Sequence, residues 1–241
     1  LVIPYFDTYW HFRSLLERFE ISEQTSNILP NHRTNQPSMP SAERHNLVIS
    51  TRNPNKVREI QAILTDIPVK LITLADFPDA PEVIEDKETL DENASKKAQV
   101  LFAHTGIATM ADDTGLEVMA LHGAPGVHSA RYAGTNPTQA DNRAHLIEQL
   151  KGIDDRRAQF RTSIAFTTAS GTYLFEGICK GRILSKERGD GGFGYDSLFV
   201  PDGFEDSFAE MNAEDKNAIS HRGRALKRFA SYLTGLLATN E

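Results

Sequence analysis

Apolar positions fall along this chain in short unbroken runs, separated by stripes at helical spacing. Leu47-Val48-Ile49, closed by Ser50 and Thr51, has the length of a buried strand. After the polar loop Arg52-Asn53-Pro54-Asn55, Val57, Ile60, Ala62, Ile63 and Leu64 give residues 56–64 the apolar face of a helix. Residues 88–105 predict another helix, stopped by Gly106. Residues 107–110 predict a further short buried strand, which delivers two adjacent carboxylates, Asp112 and Asp113, then Thr114 and Gly115. Side chains alternate between faces along a strand. Both carboxylates can therefore face one cleft only if the strand ends there, and Gly115 is read as that end. Residues 136–150 predict a helix with Thr138 as its N-cap. Residues 158–168 and 173–179 predict two antiparallel strands around the hairpin Ala169-Ser170-Gly171-Thr172. Ser220 caps a last helix whose apolar face is Ala225, Leu226, Phe229, Leu233 and Leu237. The predicted class is α/β, a long mixed β-sheet with flanking helices.

Residues 1–44 break this pattern. Tyr9, Phe12, Leu15, Leu16 and Phe19 sit at helical spacing, and residues 22–41 are rich in Ser, Asn, Pro and Gln. This reads as an N-terminal extension, a short helix and a disordered linker, ahead of one domain over residues 45–241. The extension lacks the basic start and apolar core of a secretory signal. A helix that docks a partner is the sharper alternative for it.

Composition narrows the function. Of 241 residues, 39% are hydrophobic and 24% charged, which leaves room for a sizeable core. The net charge of −7 argues against a nucleic-acid footprint, and no run of 18 apolar residues predicts a membrane span. The single cysteine, Cys179, excludes an internal disulfide and a multi-cysteine zinc site, and its apolar surroundings predict a packed thiol.

Four places carry candidate chemistry. Asp112 and Asp113 at a strand end can hold a hard cation such as Mg²⁺, although a bare pair of this kind also fits a solvated acidic turn. The strand, polar loop and helix start around Thr51 to Lys56 make an anion site, because the first helical N–H groups are free and Arg52 and Lys56 add charge. His221, Arg222 and Arg224 fall in the first turn of the last helix, where the dipole opposes cations. Such a cluster predicts a bound anion or polar ligand. Between these lies Gly189 to Phe199, in which glycines flank Phe193 and predict an aromatic free to stack on a flat ring.

Four motifs resemble the pyrophosphatases of noncanonical purine nucleoside triphosphates, the inosine triphosphatase or Ham1-like family. They are Thr51-x-Asn53-x-x-Lys56; the run from Ala111 to Gly134, with Ser129-Ala130-Arg131-Tyr132; the element from Gly191 to Asp196; and Lys216-Asn217-x-x-Ser220-His221-Arg222. Thr114 stands where serine is usual, and Arg52 where glycine is common. The resemblance covers roughly residues 47–237 and implies two lobes around a central cleft, a homodimer and a cytoplasmic location. It implies hydrolysis of ITP, dITP and XTP to the monophosphate and pyrophosphate. Mg²⁺ is the implied cofactor, held by Glu85 and Asp113. Asp113 is the implied base for a water attacking the α-phosphorus, with Asp112 in support, and Lys56 and Arg52 neutralise the leaving pyrophosphate. Thr51, Asn53 and Lys56 are the expected triphosphate contacts, and Arg52, Asn55 and Thr114 are further expected substrate contacts. Phe193, Gly194, Tyr195, Asp196, Lys216, His221 and Arg222 are the expected contacts around the base.

The donors of Lys216, His221 and Arg222 suit the 6-oxo acceptor of hypoxanthine and xanthine, and clash with the amino donor of adenine. Guanine shares that acceptor, so its exclusion must come from crowding at the 2-position. The rival readings are a Maf-like pyrophosphatase for modified pyrimidine nucleotides, a nucleotide-binding module without catalysis, and a scaffold. The Maf-like loop is absent at Ser50-Thr51-Arg52-Asn53, the carboxylates a binding module would lose are present, and a scaffold role rests on residues 1–44 alone.

Overall fold

The computed structural model describes residues 45–239, so the predicted extension lies outside the described residues. The chain runs β1 (His45–Ile49), α1 (Pro54–Ile63), β2 (Val69–Thr73), α2 (Leu90–Thr105), β3 (Thr109–Val118) and β4 (Pro125–Gly126). It continues through α3 (Gln139–Gln149), β5 (Arg157–Thr168), β6 (Gly171–Ile183), β7 (Phe199–Pro201), α4 (Ala213–Ile219) and α5 (His221–Ala238). The sheet order is β2-β1-β3-β5-β6-β7, with β4 on β3. β1 pairs in parallel with β2 and β3, and the other pairings are antiparallel. The expected mixed α/β sheet is therefore present.

Local rules place the ends of the helices. Asn53 caps α1, its side chain accepting from the Asn55 N–H, with Pro54 at the first turn. Thr89 caps α2, and Gly106, at φ 68°, ends it in the left-handed region. Thr138 closes a capping box with Asp141 on α3. That helix starts at Gln139 rather than at residue 136, where Asn136 has φ 52°. The hairpin turns at Ala169-Ser170, and β6 runs four residues beyond the expected end at Cys179.

One expectation is corrected. The strand predicted over 107–110 starts at Thr109 and runs straight through Gly115 to Val118. Gly115 is needed for a different reason: a Cβ there would lie 2.6 Å from the carbonyl oxygen of Gly126 on β4. The glycine admits a neighbouring backbone and does not end the strand.

This long strand sets up the site. Met110, Ile164 and Phe166 pack with Ile49, Ile60 and Phe229 in one core. Leu116, Val118, Ala158 and Phe160 pack with Leu146, Phe199 and Phe208 in another. Between them the same strands turn polar: Asp112, Asp113 and Thr114 on β3, with Ser163 and Thr162 opposite the last two on β5. Two apolar cores flank a buried polar belt, and buried polar groups are kept where partners satisfy them. A polar seam thus runs between two apolar cores of one sheet.

Candidate active site

Because β3 continues past the carboxylates, Asp112 and Asp113 point to opposite faces. Asp112 shares its face with Met110, under α1 and α5. It pairs with Lys56 Nζ at 3.0 Å and accepts from Arg222 Nε at 3.2 Å. Burial raises its pKa, but Lys56 and Arg222 outweigh this and hold the carboxyl far below the usual range. Asp113 shares its face with Ala111, under α2. Its Oδ1 accepts from Lys97 Nζ at 3.0 Å, and Lys97 also donates to Glu85 Oε1 at 2.6 Å. Burial pushes the Asp113 carboxyl up; Lys97 pulls it down and Glu85 raises it further. The expected pair facing one cleft is thus replaced by one carboxylate on each face, and Glu85 joins Asp113 instead of Asp112.

A cavity of about 510 Å³ opens beside this seam. Its lining brings together Thr51, Arg52, Asn53, Lys56, Glu85, Asp113, Thr114, Phe193, Gly194, Tyr195, Asp196, Lys216, His221 and Arg222. Asn55 and Asp112 are not part of the lining. Asn55 accepts from Arg58 on its own helix, and Asp112 acts through Lys56 and Arg222.

At one end of the cavity the strand–loop–helix start presents Thr51, Asn53 and Lys56. Burial lowers the Lys56 pKa against the pull of Asp112. Arg52 is exposed and donates to the Ala80 carbonyl at 3.3 Å, so it borders this end rather than filling it.

At the other end Phe193 is half-buried, with Lys216 Nζ 5.0 Å and Arg222 Cζ 5.5 Å from its ring centroid. Asp196 fixes this loop: its Oδ2 accepts from the Phe193 N–H at 2.8 Å and from Lys216 Nζ at 2.7 Å. Gly192, at φ 68°, is needed there, since a Cβ would lie 2.2 Å from Asp196 Oδ2. Tyr195 is buried and its hydroxyl donates to the Ser129 carbonyl, so it props the wall.

The basic cluster on α5 separates into three. Arg222 is buried and held by Asp112, Glu59 and Thr114, which offsets the dipole. His221 stacks on Phe160 at 4.5 Å, and burial drives its pKa well below the ordinary value, so the ring is neutral. Arg224 turns away, donates to the Ile178 carbonyl and lines a separate cavity with Cys179. Cys179 is buried and its thiol is pushed up to about 11, as the packed reading expects.

Two site residues escaped the sequence reading. Glu59 on α1 lies between Lys216 Nζ, at 3.0 Å, and Arg222. Lys97 occupies a core position of the buried stripe Leu90, Asn93, Ala94, Lys97, Ala98 and Leu101. A lysine in such a stripe is rarely buried without partners, and that was the available signal. Arg131, noted only within its motif, donates to the Glu85 carbonyl at 2.9 Å and anchors that segment.

Glu85 and Asp113 form an oxygen pair suited to Mg²⁺, which takes one or two carboxylates and leaves room for phosphates. Asp113 Oδ2 is buried with no partner, as is Ser163 Oγ at the facing position of β5. Unmet acceptor capacity and two converging carboxylates fit a hard cation.

An α/β seam with a helix-start loop and Lys56 on one side and an aromatic ring among cations on the other has the chemistry to take a phosphorylated, ring-bearing ligand. The chain belongs to the Ham1 family, whose sequence profile matches residues 47–232. It is 48% identical over 188 residues to the dITP/XTP pyrophosphatase of Christiangramia forsetii, covering 78% of this chain and 98% of that protein. It is 49% identical over 181 residues to the protein of the same name from Desulfotalea psychrophila, covering 75% and 81%. A solved HAM1 protein from Coxiella burnetii superposes with a TM-score of 0.74 at 37% identity, over 79% of this chain and 99% of that one.

Proposed function

We propose that this chain hydrolyses noncanonical purine nucleoside triphosphates, dITP, ITP and XTP, to the monophosphate and pyrophosphate. The carrying observation is that Asp113, with a free buried oxygen, and Lys56, at a helix start, line one cavity with Phe193. The relatives that share this chain's domain are named for that reaction.

Glu85 and Asp113 would hold Mg²⁺, which when bound neutralises phosphate charge and makes a water more acidic. The remaining work belongs to the chain. At the opening of α1, where Pro54 has no N–H and Asn53 caps that of Asn55, Thr51, the Asn53 amide and the Lys56 N–H hold the phosphate tail, and Lys56 balances the charge of the leaving pyrophosphate. Asp113, its pKa raised by burial, takes the proton of the water that attacks the α-phosphorus. Asp112 stays ionised and keeps Lys56 and Arg222 in place. Phe193 stacks on the base, and the spare donors of Lys216 and Arg222 meet its 6-oxo group.

The reading extends to a Mg²⁺-dependent homodimer in the cytoplasm, on the strength of the family resemblance. Among the described residues no helix is long and apolar enough to cross a membrane. The test is hydrolysis of dITP in ¹⁸O-water. Label in the deoxyinosine monophosphate, with unlabelled pyrophosphate, is expected; label in pyrophosphate, or release of orthophosphate, overturns the mechanism.

A further inference from the structure

Glu85 and Asp113 are two carboxylates aimed at one point, and something must hold them there when no ion is bound. The Lys97 ammonium stands at that point, 2.6 Å from Glu85 Oε1, 3.0 Å from Asp113 Oδ1 and 2.7 Å from the carbonyl oxygen of Asp112. All three of its donors are used. Its partners are oxygens only, the donor set that hard cations take. The lysine is 8% exposed, rooted in the buried stripe of α2. Beside it Asp113 Oδ2 and Ser163 Oγ are left over, more acceptor capacity than one ammonium satisfies.

We infer that Lys97 is a tethered placeholder cation: its ammonium fills the oxygen cage of Glu85, Asp113 and the Asp112 carbonyl until a divalent ion displaces it. The inference rests on the reading of Glu85 and Asp113 as ion ligands. An arriving ion must compete with a cation covalently attached to the fold, so binding without nucleotide is weak. Nucleotide phosphates offer the displaced ammonium a new partner, so ion and nucleotide strengthen one another's binding.

The experiment uses the full chain without nucleotide. Free Mn²⁺ is titrated by electron paramagnetic resonance, and the melting temperature is followed with and without Mg²⁺. Lys97→Met is expected to melt lower than wild type when ion-free, to bind Mn²⁺ about tenfold or more tightly than wild type, and to regain the wild-type melting temperature with Mg²⁺. A Mn²⁺ affinity equal to or below that of wild type, or a stability loss that Mg²⁺ leaves uncorrected, overturns the placeholder. Asp113→Asn separates the two readings. If wild type binds no Mn²⁺, or binds it as well after Asp113→Asn, the ligand assignment falls and the placeholder with it. If binding depends on Asp113 but Lys97→Met gains nothing, only the placeholder falls. Should Lys97→Met fail to fold even with Mg²⁺, Lys97→Gln is expected to show the same tightening, and its absence there overturns the inference.

Discussion

Lys216 and Arg222 spend most of their donors inside the protein. Lys216 uses two of three, on Glu59 and Asp196, and Arg222 three of five, on Asp112, Glu59 and Thr114. What is left for a ligand is few donors, held stiffly by carboxylates, and such donors discriminate well because they cannot turn to another partner. Asp113 has the opposite character, with one oxygen unclaimed. In Asp113→Asn the amide keeps the shape but loses the charge and the proton acceptor. We expect pyrophosphate release to fall by about a hundredfold or more with an unchanged circular dichroism spectrum; near wild-type turnover would contradict the assignment. His221 makes a prediction about stability. Its folded pKa is depressed, so the unfolded chain takes up the proton first as pH falls. Stability is full above about pH 6.5 and declines below it, by up to about 1.4 kcal/mol per pH unit. His221→Phe, which keeps the stacked ring, should flatten this fall of urea-measured stability as pH drops below about 6.5, the ordinary histidine value. An unaltered slope would mean that His221 is not the group responsible.

At the scale of elements, the site depends on how closely α5 approaches β6. A Cβ on Gly177 would lie 2.0 Å from the His221 carbonyl oxygen and 2.5 Å from the Ala225 nitrogen. Gly177→Ala must push away the helix start that carries His221 and Arg222. We expect a loss of about 1–3 kcal/mol in stability and a lower kcat/KM, with no such change for Gly235→Ala, where the space is open. Equal behaviour of the two variants would refute the close-approach argument. The elements themselves were legible where local rules act alone: the caps at Thr138 and Ser220, the stop at Gly106 and the hairpin before Gly171 all follow from residue type. The end of β3 was not. Gly115 carries the same local signal whether it ends a strand or admits β4, and only the tertiary pairing of Leu116 with Gly126 decides. Glu59 and Lys97 were obscured likewise, because charged residues on helices ordinarily face water and their partners lie far along the chain.

Across the whole molecule, two apolar cores close on a polar seam, and the family match from 47 to 232 spans both. The seam carries Thr51, Asn53 and Lys56 from the start of α1 and Lys216 and Arg222 around Phe193, with Asp113 between cores rather than within either. On the function proposed above, this arrangement selects 6-oxo purines for removal as monophosphates. The most direct test is the ratio of kcat/KM for dITP over dATP, read as pyrophosphate release by the wild-type chain with Mg²⁺. Adenine's amino group would leave donors of Lys216 and Arg222 facing another donor, at about 1–3 kcal/mol for each of two groups. A preference for dITP of at least about 30-fold is expected; a ratio near one would contradict selection by these donors.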